Sequence, residues 1–174
     1  MKVLVVIDAQ KDFVTEALRN EEAIKTLPNL VELVKKYSDD PECLIFFTRD
    51  THSNNYLLTL EGKKLPVPHC IEGSDGWEII DELQPYVKKV LNKYTFGSKQ
   101  LPFEINTATI NENLDEIIIA GYCTDICVIS NALILRAYYP NVPIKIISNC
   151  CAGVTPETHE AALTVARSCQ IDVE

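Results

Sequence analysis

The sequence predicts an α/β fold in which strands and helices alternate along the chain. Short runs rich in β-branched residues recur, and segments with the apolar spacing of a helix separate them. This alternation is typical of a parallel sheet whose right-handed crossovers place helices on both faces. We therefore expect a three-layer αβα architecture with a mostly parallel, doubly wound sheet of about six strands.

The expected strands are apolar runs bounded by turn-forming residues. They are residues 2–7, 43–47, 87–91, 117–119, 144–147 and, at an edge, 171–173. The carboxyl ends of parallel strands meet at one edge of a sheet, where ligands bind. Polar side chains that directly follow these runs are therefore candidates for a functional site.

Four helices are expected between these strands, from the spacing of apolar residues and from capping residues. They cover residues 28–37, 74–84, about 124–139 and 155–166. Pro28 is expected in the first turn of the first helix, and the second helix includes Trp77. Either Thr124 or Asp125 can cap the third helix, which runs toward Tyr139. His159 lies on the last of these helices, where we expect it on the surface or as an anchor for a loop. Residues 51–75 predict a long ordered loop, and long loops in compact domains tend to carry function.

The length and composition favour a single domain over residues 1–174, with enough apolar residues (47%) for one large core. The net charge of −9 argues against binding nucleic acid or an anionic membrane, because both need clustered basic side chains. No signal peptide or membrane span is recognisable. We expect a cytoplasmic protein with seven reduced cysteines and a small-molecule partner.

The most informative segment passes from a predicted buried strand through a turn at Gly121 into a helix that carries a thiol. Cys127 falls in the first helical turn, where unpaired N–H groups and the helix dipole favour the thiolate. The same N–H groups can stabilise an oxyanion. The alternative is that Cys123 and Cys127 are small core residues, as buried cysteines usually are.

Two further side chains follow neighbouring predicted strands: Asp8 follows the first strand and Lys93 the third. A carboxylate can accept a thiol proton, and a lysine can hold carboxylate and thiolate in an ion-paired arrangement, so that the sulfur attacks a carbonyl carbon. Each residue alone is more simply explained as a turn former or a solvated side chain. Their combination with Cys127 favours nucleophilic catalysis.

Three motifs resemble those of the isochorismatase-like cysteine hydrolase superfamily, over essentially the whole chain, with the nicotinamidases as the most similar branch. They are Val-Ile-Asp-Ala-Gln-Lys-Asp-Phe at 6–13, Asn-Lys-Tyr-Thr-Phe-Gly-Ser at 92–98 and Gly-Tyr-Cys-Thr-Asp-Ile-Cys-Val at 121–128. The resemblance implies that Asp8, Lys93 and Cys127 form the family triad. It also implies conversion of nicotinamide to nicotinate and ammonia through a thioester, an activity of NAD salvage.

The same resemblance implies roles for residues around the triad. The family has a cis peptide before the helix, which here joins Tyr122 and Cys123. Its oxyanion hole uses backbone N–H groups, which here belong to Cys123 and Cys127. Phe13 corresponds to an aromatic residue that packs against the substrate ring, although a plain core role explains it nearly as well. Tyr122 is expected to contact the substrate.

A second group of chemically apt side chains lies in and beside the long loop. Asp50, His52 and His69, with Glu61 between them, are carboxylates and imidazoles, which suit zinc, iron or manganese. The Pro-His-Cys sequence at 68–70 resembles the nicotinamidase turn that supplies the last metal ligand. The resemblance thus implies one divalent transition metal, with zinc as the first expectation.

The fourth metal ligand is left open by the sequence. Some nicotinamidases use a third histidine shortly after the Asp-x-His pair, and this chain has none there. Others resemble the arrangement with Glu61, and Tyr56 or water could take the same place. We interpret the neighbouring Cys70, and also Cys150 and Cys151, as packing residues.

Two other functions stay open at this point. A metal-free cysteine hydrolase of an N-carbamoyl or ureido compound would leave Asp50, His52 and His69 as ordinary loop residues. A non-catalytic binding protein could keep the same fold. The resemblance also implies a homo-oligomer, because dimers and tetramers are common in such families.

Overall fold

A computed structural model describes residues 1–174 and confirms the α/β architecture. Its six strands form one all-parallel sheet in the order β3-β2-β1-β4-β5-β6. The strands are β1 (Lys2–Ile7), β2 (Cys43–Asp50), β3 (Val90–Lys93), β4 (Glu116–Tyr122), β5 (Ile144–Ala152) and β6 (Asp172–Val173). The strand order reverses direction between β1 and β4, which makes their carboxyl ends the expected place for a ligand.

The two central strands are buried on both faces. Residues 3–7 of β1 and residues 117–120 of β4 have no exposed surface, although successive side chains of a strand point to opposite sides. Helices therefore cover both sides of the sheet, as parallel sheets require. This coverage explains why these strands are continuous runs of Val, Leu and Ile rather than alternating apolar and polar residues.

Six α-helices accompany the sheet. They are α1 (Lys11–Val14), α2 (Glu21–Ser38), α3 (Leu60–Lys64), α4 (Leu101–Ala108), α5 (Ile129–Tyr138) and α6 (Pro156–Ser168). The long helix α2 packs against β2, β4 and β5, whereas α5 packs against both α4 and α6. None of these helices is both long and apolar enough to cross a membrane.

The prediction that Pro28 opens the first long helix is wrong. The helix begins at Glu21, where the side chain of Asn20 accepts hydrogen bonds from the N–H groups of Glu22 and Ala23, so Pro28 lies inside it. Proline removes one helical hydrogen bond, but the cap and the burial of one helix face outweigh that loss. The prediction at the last helix is confirmed, because Thr155 and Thr158 form a capping box there.

The predicted helix over 74–84 is also wrong. The chain instead forms an isolated antiparallel bridge between Gln10 and Ile79, and a 3₁₀ helix covers Asp81–Tyr86. The indole of Trp77 donates to the hydroxyl of Thr51 at 2.9 Å, which holds this segment against the end of β2. Tertiary contacts have overridden the local helical spacing. Helix α4, with a proline in its first turn, was not predicted.

Candidate active site

A cavity of about 1250 Å³ opens beside the carboxyl ends of the strands. Residues that follow different strands line it, together with side chains of the loop between β2 and β3. Its wall includes the predicted residues Phe13, Asp50, Glu61, His69, Cys123 and Cys127. The topology therefore brings members of both predicted groups to one concave surface, as expected at a switch in strand order. Asp8, Lys93 and His52 lie behind this wall and contact the residues that line it.

Behind Cys127, which lines the cavity, Lys93 joins two of the predicted catalytic residues. Its Nζ atom lies 2.6 Å from Asp8 Oδ2 and 3.4 Å from Cys127 Sγ. All three residues are buried, with at most 4% of any of them exposed. Thus a thiol, a carboxylate and an ammonium group meet away from bulk water, where their charges interact strongly.

Burial and the neighbouring charges set the protonation of this group. Burial raises the pKa of Asp8, and Lys93 opposes that rise. Burial alone would lower the pKa of Lys93, but the charges of Asp8, Cys127 and Asp50 raise it well above its ordinary value. For the Cys127 thiol, burial and the nearby Asp8 raise the pKa well above the ordinary value. Burial and Asp8 therefore oppose the thiolate form of Cys127 that a position in the first helical turn was expected to favour.

A residue that the sequence analysis missed holds Asp8 in place. The hydroxyl of Thr48 donates to Asp8 Oδ1 at 2.6 Å, and the N–H group of Asp8 donates to the same hydroxyl at 3.2 Å. Asp8 has a positive φ of 45°, so these two hydrogen bonds to Thr48 secure an uncommon backbone conformation. The only signal for Thr48 was its place near the end of the neighbouring strand.

The cysteine segment is a single π-helical turn, Thr124–Val128, between β4 and α5. The N–H group of Val128 donates to the carbonyl of Cys123 at 3.0 Å, and the peptide between Tyr122 and Cys123 is cis, as expected. The expected cap is absent, because neither Thr124 nor Asp125 bonds to the N–H groups of this turn. The N–H group of Cys123 has no hydrogen-bond acceptor in the protein.

Asn131, also missed in the sequence, fixes this turn from the following helix. Its side-chain N–H₂ group donates to the carbonyl of Cys127 at 2.8 Å, and its side-chain oxygen accepts from the N–H group of Ser98 at 2.9 Å. Asn131 is fully buried. It therefore ties the cysteine turn to the segment that follows Lys93.

The two predicted substrate contacts have different positions. Phe13 lines the cavity, and its ring lies edge-on to the imidazole of His69 at a centroid distance of 5.6 Å. The side chain of Tyr122 lies outside the cavity, contrary to expectation. Its hydroxyl donates to the carbonyl of Ala23 in α2 at 3.1 Å and pairs with Thr26, so the ring packs into the core.

The second predicted group is a compact cluster of two imidazoles and two carboxylates. One potential ligand atom from each of Asp50, His52, Glu61 and His69 lies within 4.8 Å of the others. His52 Nε2 lies 2.9 Å from Asp50 Oδ2 and 3.6 Å from Glu61 Oε1. His69 Nε2 lies 3.8 Å and 3.7 Å from the same two oxygens. This donor set suits a divalent transition metal.

The surroundings of His69 favour metal binding through Nε2. Its Nδ1 atom lies 2.9 Å from the carbonyl of Val67, a contact that leaves the Nε2 lone pair directed at the cluster. The next residue, Cys70, donates its N–H group to Asp12 Oδ2 at 2.6 Å, which secures the loop. The hydroxyl of Tyr56, the alternative fourth ligand, donates instead to the carbonyl of Leu65.

Asp50 is fixed on three sides. Its Oδ1 atom accepts from Lys93 Nζ at 3.0 Å, while its Oδ2 atom faces the imidazole of His52. Burial alone would raise the pKa of Asp50, but His52 and Lys93 hold it below its ordinary value. The buried side chain of Gln10 accepts from the N–H group of Asp50 at 2.7 Å and donates to its carbonyl at 2.9 Å. Gln10 stood in a recognised motif, but the sequence alone did not indicate this role.

The other cysteines match their interpretation as packing residues. Cys70, Cys150 and Cys151 are buried, and none of the seven cysteines forms a disulfide. Burial raises the pKa of Cys150 to about 11. These thiols therefore have no feature of an activated nucleophile.

Two named relatives are similar to this chain along almost all of its length. A nicotinamidase of Schizosaccharomyces pombe is 25% identical in an alignment 208 positions long, which covers 98% of this chain and 91% of that protein. The crystal structure of nicotinamidase PncA from Bacillus subtilis is 28% identical, with a TM-score of 0.82, and covers 99% of this chain and 98% of that one.

A third similarity is one of fold. The structure of a pyrazinamidase from Pyrococcus horikoshii, determined in complex with zinc, has a TM-score of 0.83 at 24% identity and covers 99% of this chain and 98% of that one. The family model described as the isochorismatase domain matches residues 2–174. Because this match spans nearly the whole chain and the fold agrees with it, the chain belongs to the isochorismatase family.

Proposed function

We propose that this protein is a cysteine-dependent amidohydrolase that converts nicotinamide and water to nicotinate and ammonia. The observation that carries the proposal is the position of Lys93 Nζ, which lies within reach of both Asp8 Oδ2 and the sulfur of Cys127, a residue that lines the cavity. A nucleophile, a base and a fixed positive charge are the components of covalent amide hydrolysis. The similarity to named nicotinamidases supports the choice of substrate.

In the first half of the reaction, Asp8 accepts the proton of Cys127 as the sulfur attacks the carboxamide carbon. A carboxylate with a raised pKa is suited to this transfer near neutral pH. The C–S bond forms as the carbonyl oxygen becomes an oxyanion, which the N–H groups of Cys123 and Cys127 stabilise. Asp8 then gives the proton to the leaving nitrogen, the C–N bond breaks, and ammonia departs from a thioester.

In the second half, water replaces ammonia. Asp8, again a carboxylate, takes a proton from a water molecule as its oxygen attacks the thioester carbon. The C–S bond breaks, the proton returns to the Cys127 sulfur, and nicotinate leaves. Lys93 stays protonated throughout, because its pKa is raised well above its ordinary value. It therefore stabilises whichever of its two partners carries the negative charge.

The residues of the cluster fit a metal. Asp50, His52, Glu61 and His69 would hold one divalent transition metal, for which two imidazoles and two carboxylates favour zinc, with iron or manganese as alternatives. Such a metal, when bound, supplies an open coordination position for the ring nitrogen of a pyridine substrate. Phe13 packs beside His69, where it can contact the pyridine ring of the substrate.

The test is ammonia release from a small panel of amides: nicotinamide, benzamide and an N-carbamoyl amino acid. We expect rapid release from nicotinamide and little from benzamide, which lacks the ring nitrogen. Release from the N-carbamoyl compound with none from nicotinamide would reject the proposed substrate in favour of a different amidase. Ammonia from none of them in a metal-loaded preparation would reject the enzyme assignment.

A further inference from the structure

The cysteine turn depends on a side chain from a distant helix. Thr124, the first residue of the turn, is fully buried, and its hydroxyl lies 2.8 Å from Nδ1 of His159 in α6. No other side-chain hydrogen bond of Thr124 exists in the structure. The hydroxyl of a buried threonine needs a partner, because an unpaired buried polar group is costly. His159 supplies that partner.

The part of the chain that carries His159 is itself rigid. A capping box of Thr155 and Thr158 fixes the start of α6. Gly153, which follows β5, lies so close that a Cβ there would be 2.8 Å from the backbone nitrogen of His159. The imidazole is only partly accessible, since 17% of the side chain is exposed. His159 is therefore held in a fixed position relative to the sheet.

A second bond links the same two segments. Asp125 Oδ1 accepts from the N–H group of Val154 at 3.1 Å, directly beside the contact between Thr124 and His159. Two consecutive residues of the cysteine turn are thus tied to the start of α6. These bonds do not cap the N–H groups of the turn, but they attach its first two residues to the segment around the start of α6.

We infer that His159 is a positioning residue for the amidase reaction, acting through Thr124. Resting on the function proposed above, the inference is that the imidazole sets the orientation of the turn that carries the Cys127 sulfur and the Cys123 N–H group. His159 touches none of the reacting atoms. A displacement of about 1 Å in a catalytic group can lower a rate about 100-fold, so a contact three residues before the nucleophile is sufficient to matter.

The test uses two substitutions that differ in where they place a polar atom. Asparagine puts its amide near the position of Nδ1, whereas glutamine extends it toward the position of Nε2. His159→Asn should therefore keep the bond to Thr124, and His159→Gln should lose it. Thr124→Val removes the hydroxyl from the other side with little change in shape. Arg167→Gln, at an exposed position of the same helix, is the control for a change on α6.

We expect His159→Gln and Thr124→Val to lower kcat for nicotinamide about 10-fold to 100-fold, with KM nearly unchanged. The reason is that a displaced turn weakens the contact of the Cys123 N–H group with the oxyanion, which forms only in the transition state. His159→Asn and Arg167→Gln should stay close to wild type. The double variant Thr124→Val with His159→Gln should be no worse than either single variant, because both remove one contact.

A second readout does not depend on the substrate. The rate of Cys127 alkylation by iodoacetamide, followed by peptide mass spectrometry well below the unfolding temperature, should shift severalfold in His159→Gln and Thr124→Val but not in His159→Asn. The inference would be overturned if His159→Gln and Thr124→Val kept the kcat and the alkylation rate of the wild type. It would also be overturned if His159→Asn and His159→Gln lowered kcat equally. If wild type does not hydrolyse nicotinamide, the proposed function fails, and the alkylation rates still decide the role of His159.

Discussion

Lys93 Nζ lies 3.0 Å from Asp50 Oδ1, so one buried ammonium group connects the thiol site with the cluster of two imidazoles and two carboxylates. The same nitrogen lies 2.6 Å from Asp8. Because Lys93 takes one oxygen of Asp50, the other oxygen is left to face the histidines. We therefore propose two functions for the lysine: it stabilises the charge of the thiol site, and it orients Asp50 as a metal ligand.

Replacing Lys93 with methionine tests both functions at once. Two buried carboxylates would lose their positive partner, which we expect to lower the free energy of unfolding by about 3–5 kcal/mol. Ammonia release should be abolished, and zinc affinity should fall because Asp50 is no longer oriented. Denaturant unfolding and zinc titration measure these changes. The control variant Lys25→Met removes an exposed ion pair on α2 and should leave the free energy of unfolding and the zinc affinity unchanged. Full zinc affinity in Lys93→Met would contradict the orienting role.

The sequence predicted which proposed catalytic side chains lie together, but it did not predict the groups that hold them in place. Asp8, Lys93 and Cys127 follow predicted strands, so the topology of a parallel sheet was enough to bring them to one edge. Thr48, Gln10 and Asn131 act through side-chain bonds to backbone or carboxylate groups far away in sequence. Such bonds depend on the exact registration of neighbouring elements, which residue spacing does not reveal.

The wrong helix over 74–84 has a similar cause. Its apolar residues have helical spacing, but Ile79 pairs with Gln10 and Trp77 bonds to Thr51. These contacts come from strands that lie beside the segment only after the sheet has formed. Tyr122 was misplaced because the sequence does not show to which side a tyrosine beside Cys123 points, and here α2 provides acceptors for its hydroxyl.

Cys127 and Cys123 should respond differently to alanine. Cys127→Ala removes the nucleophile, and we expect a loss of activity of about 10⁴-fold or more. Cys123→Ala keeps the backbone N–H group that we assign to the oxyanion hole, so most of kcat should remain. Initial rates of ammonia release compare the two variants. Equal losses would show that the sulfur of Cys123 takes part in the chemistry.

The raised pKa of Cys127 predicts how its reactivity depends on pH. A thiol already has a pKa above 7, so a thiol whose pKa is raised further is neutral at pH 7, and only the thiolate is alkylated. In the metal-free protein, the rate of alkylation by iodoacetamide should therefore be low at pH 7 and still rising above pH 9. Asp8→Asn removes one negative charge that raises this pKa, so alkylation at pH 7 should become faster while ammonia release is lost. A plateau below pH 8 in the wild type would contradict a neutral resting thiol.

The zinc content of variants should distinguish His52 and His69, which lie in the cluster, from His159, the third histidine of the chain. His52→Ala and His69→Ala each remove an imidazole from the cluster, and we expect zinc to fall from about one per chain to a small fraction of that. Glu61→Gln should weaken binding less, because its side chain is the most exposed of the four. His159→Ala, far from the cluster, is the control and should bind zinc normally. Elemental analysis after dialysis measures the zinc content, and normal zinc in His69→Ala would show that the cluster is not the site.

The turn before the nucleophile also depends on a glycine, which a matched pair of substitutions can test. Gly121 has a φ of +120°, and a Cβ there would overlap the carbonyl oxygen of Ile7 in the neighbouring strand. Gly73 has a φ of +82° with open space around it. Gly73→Ala should therefore cost only the backbone strain, about 1–2 kcal/mol. Gly121→Ala adds the overlap with β1, about 1–3 kcal/mol more, and should also displace the cysteine turn. Denaturant unfolding gives both free energies, and equal costs would show that the close approach of β1 and β4 is easily relieved.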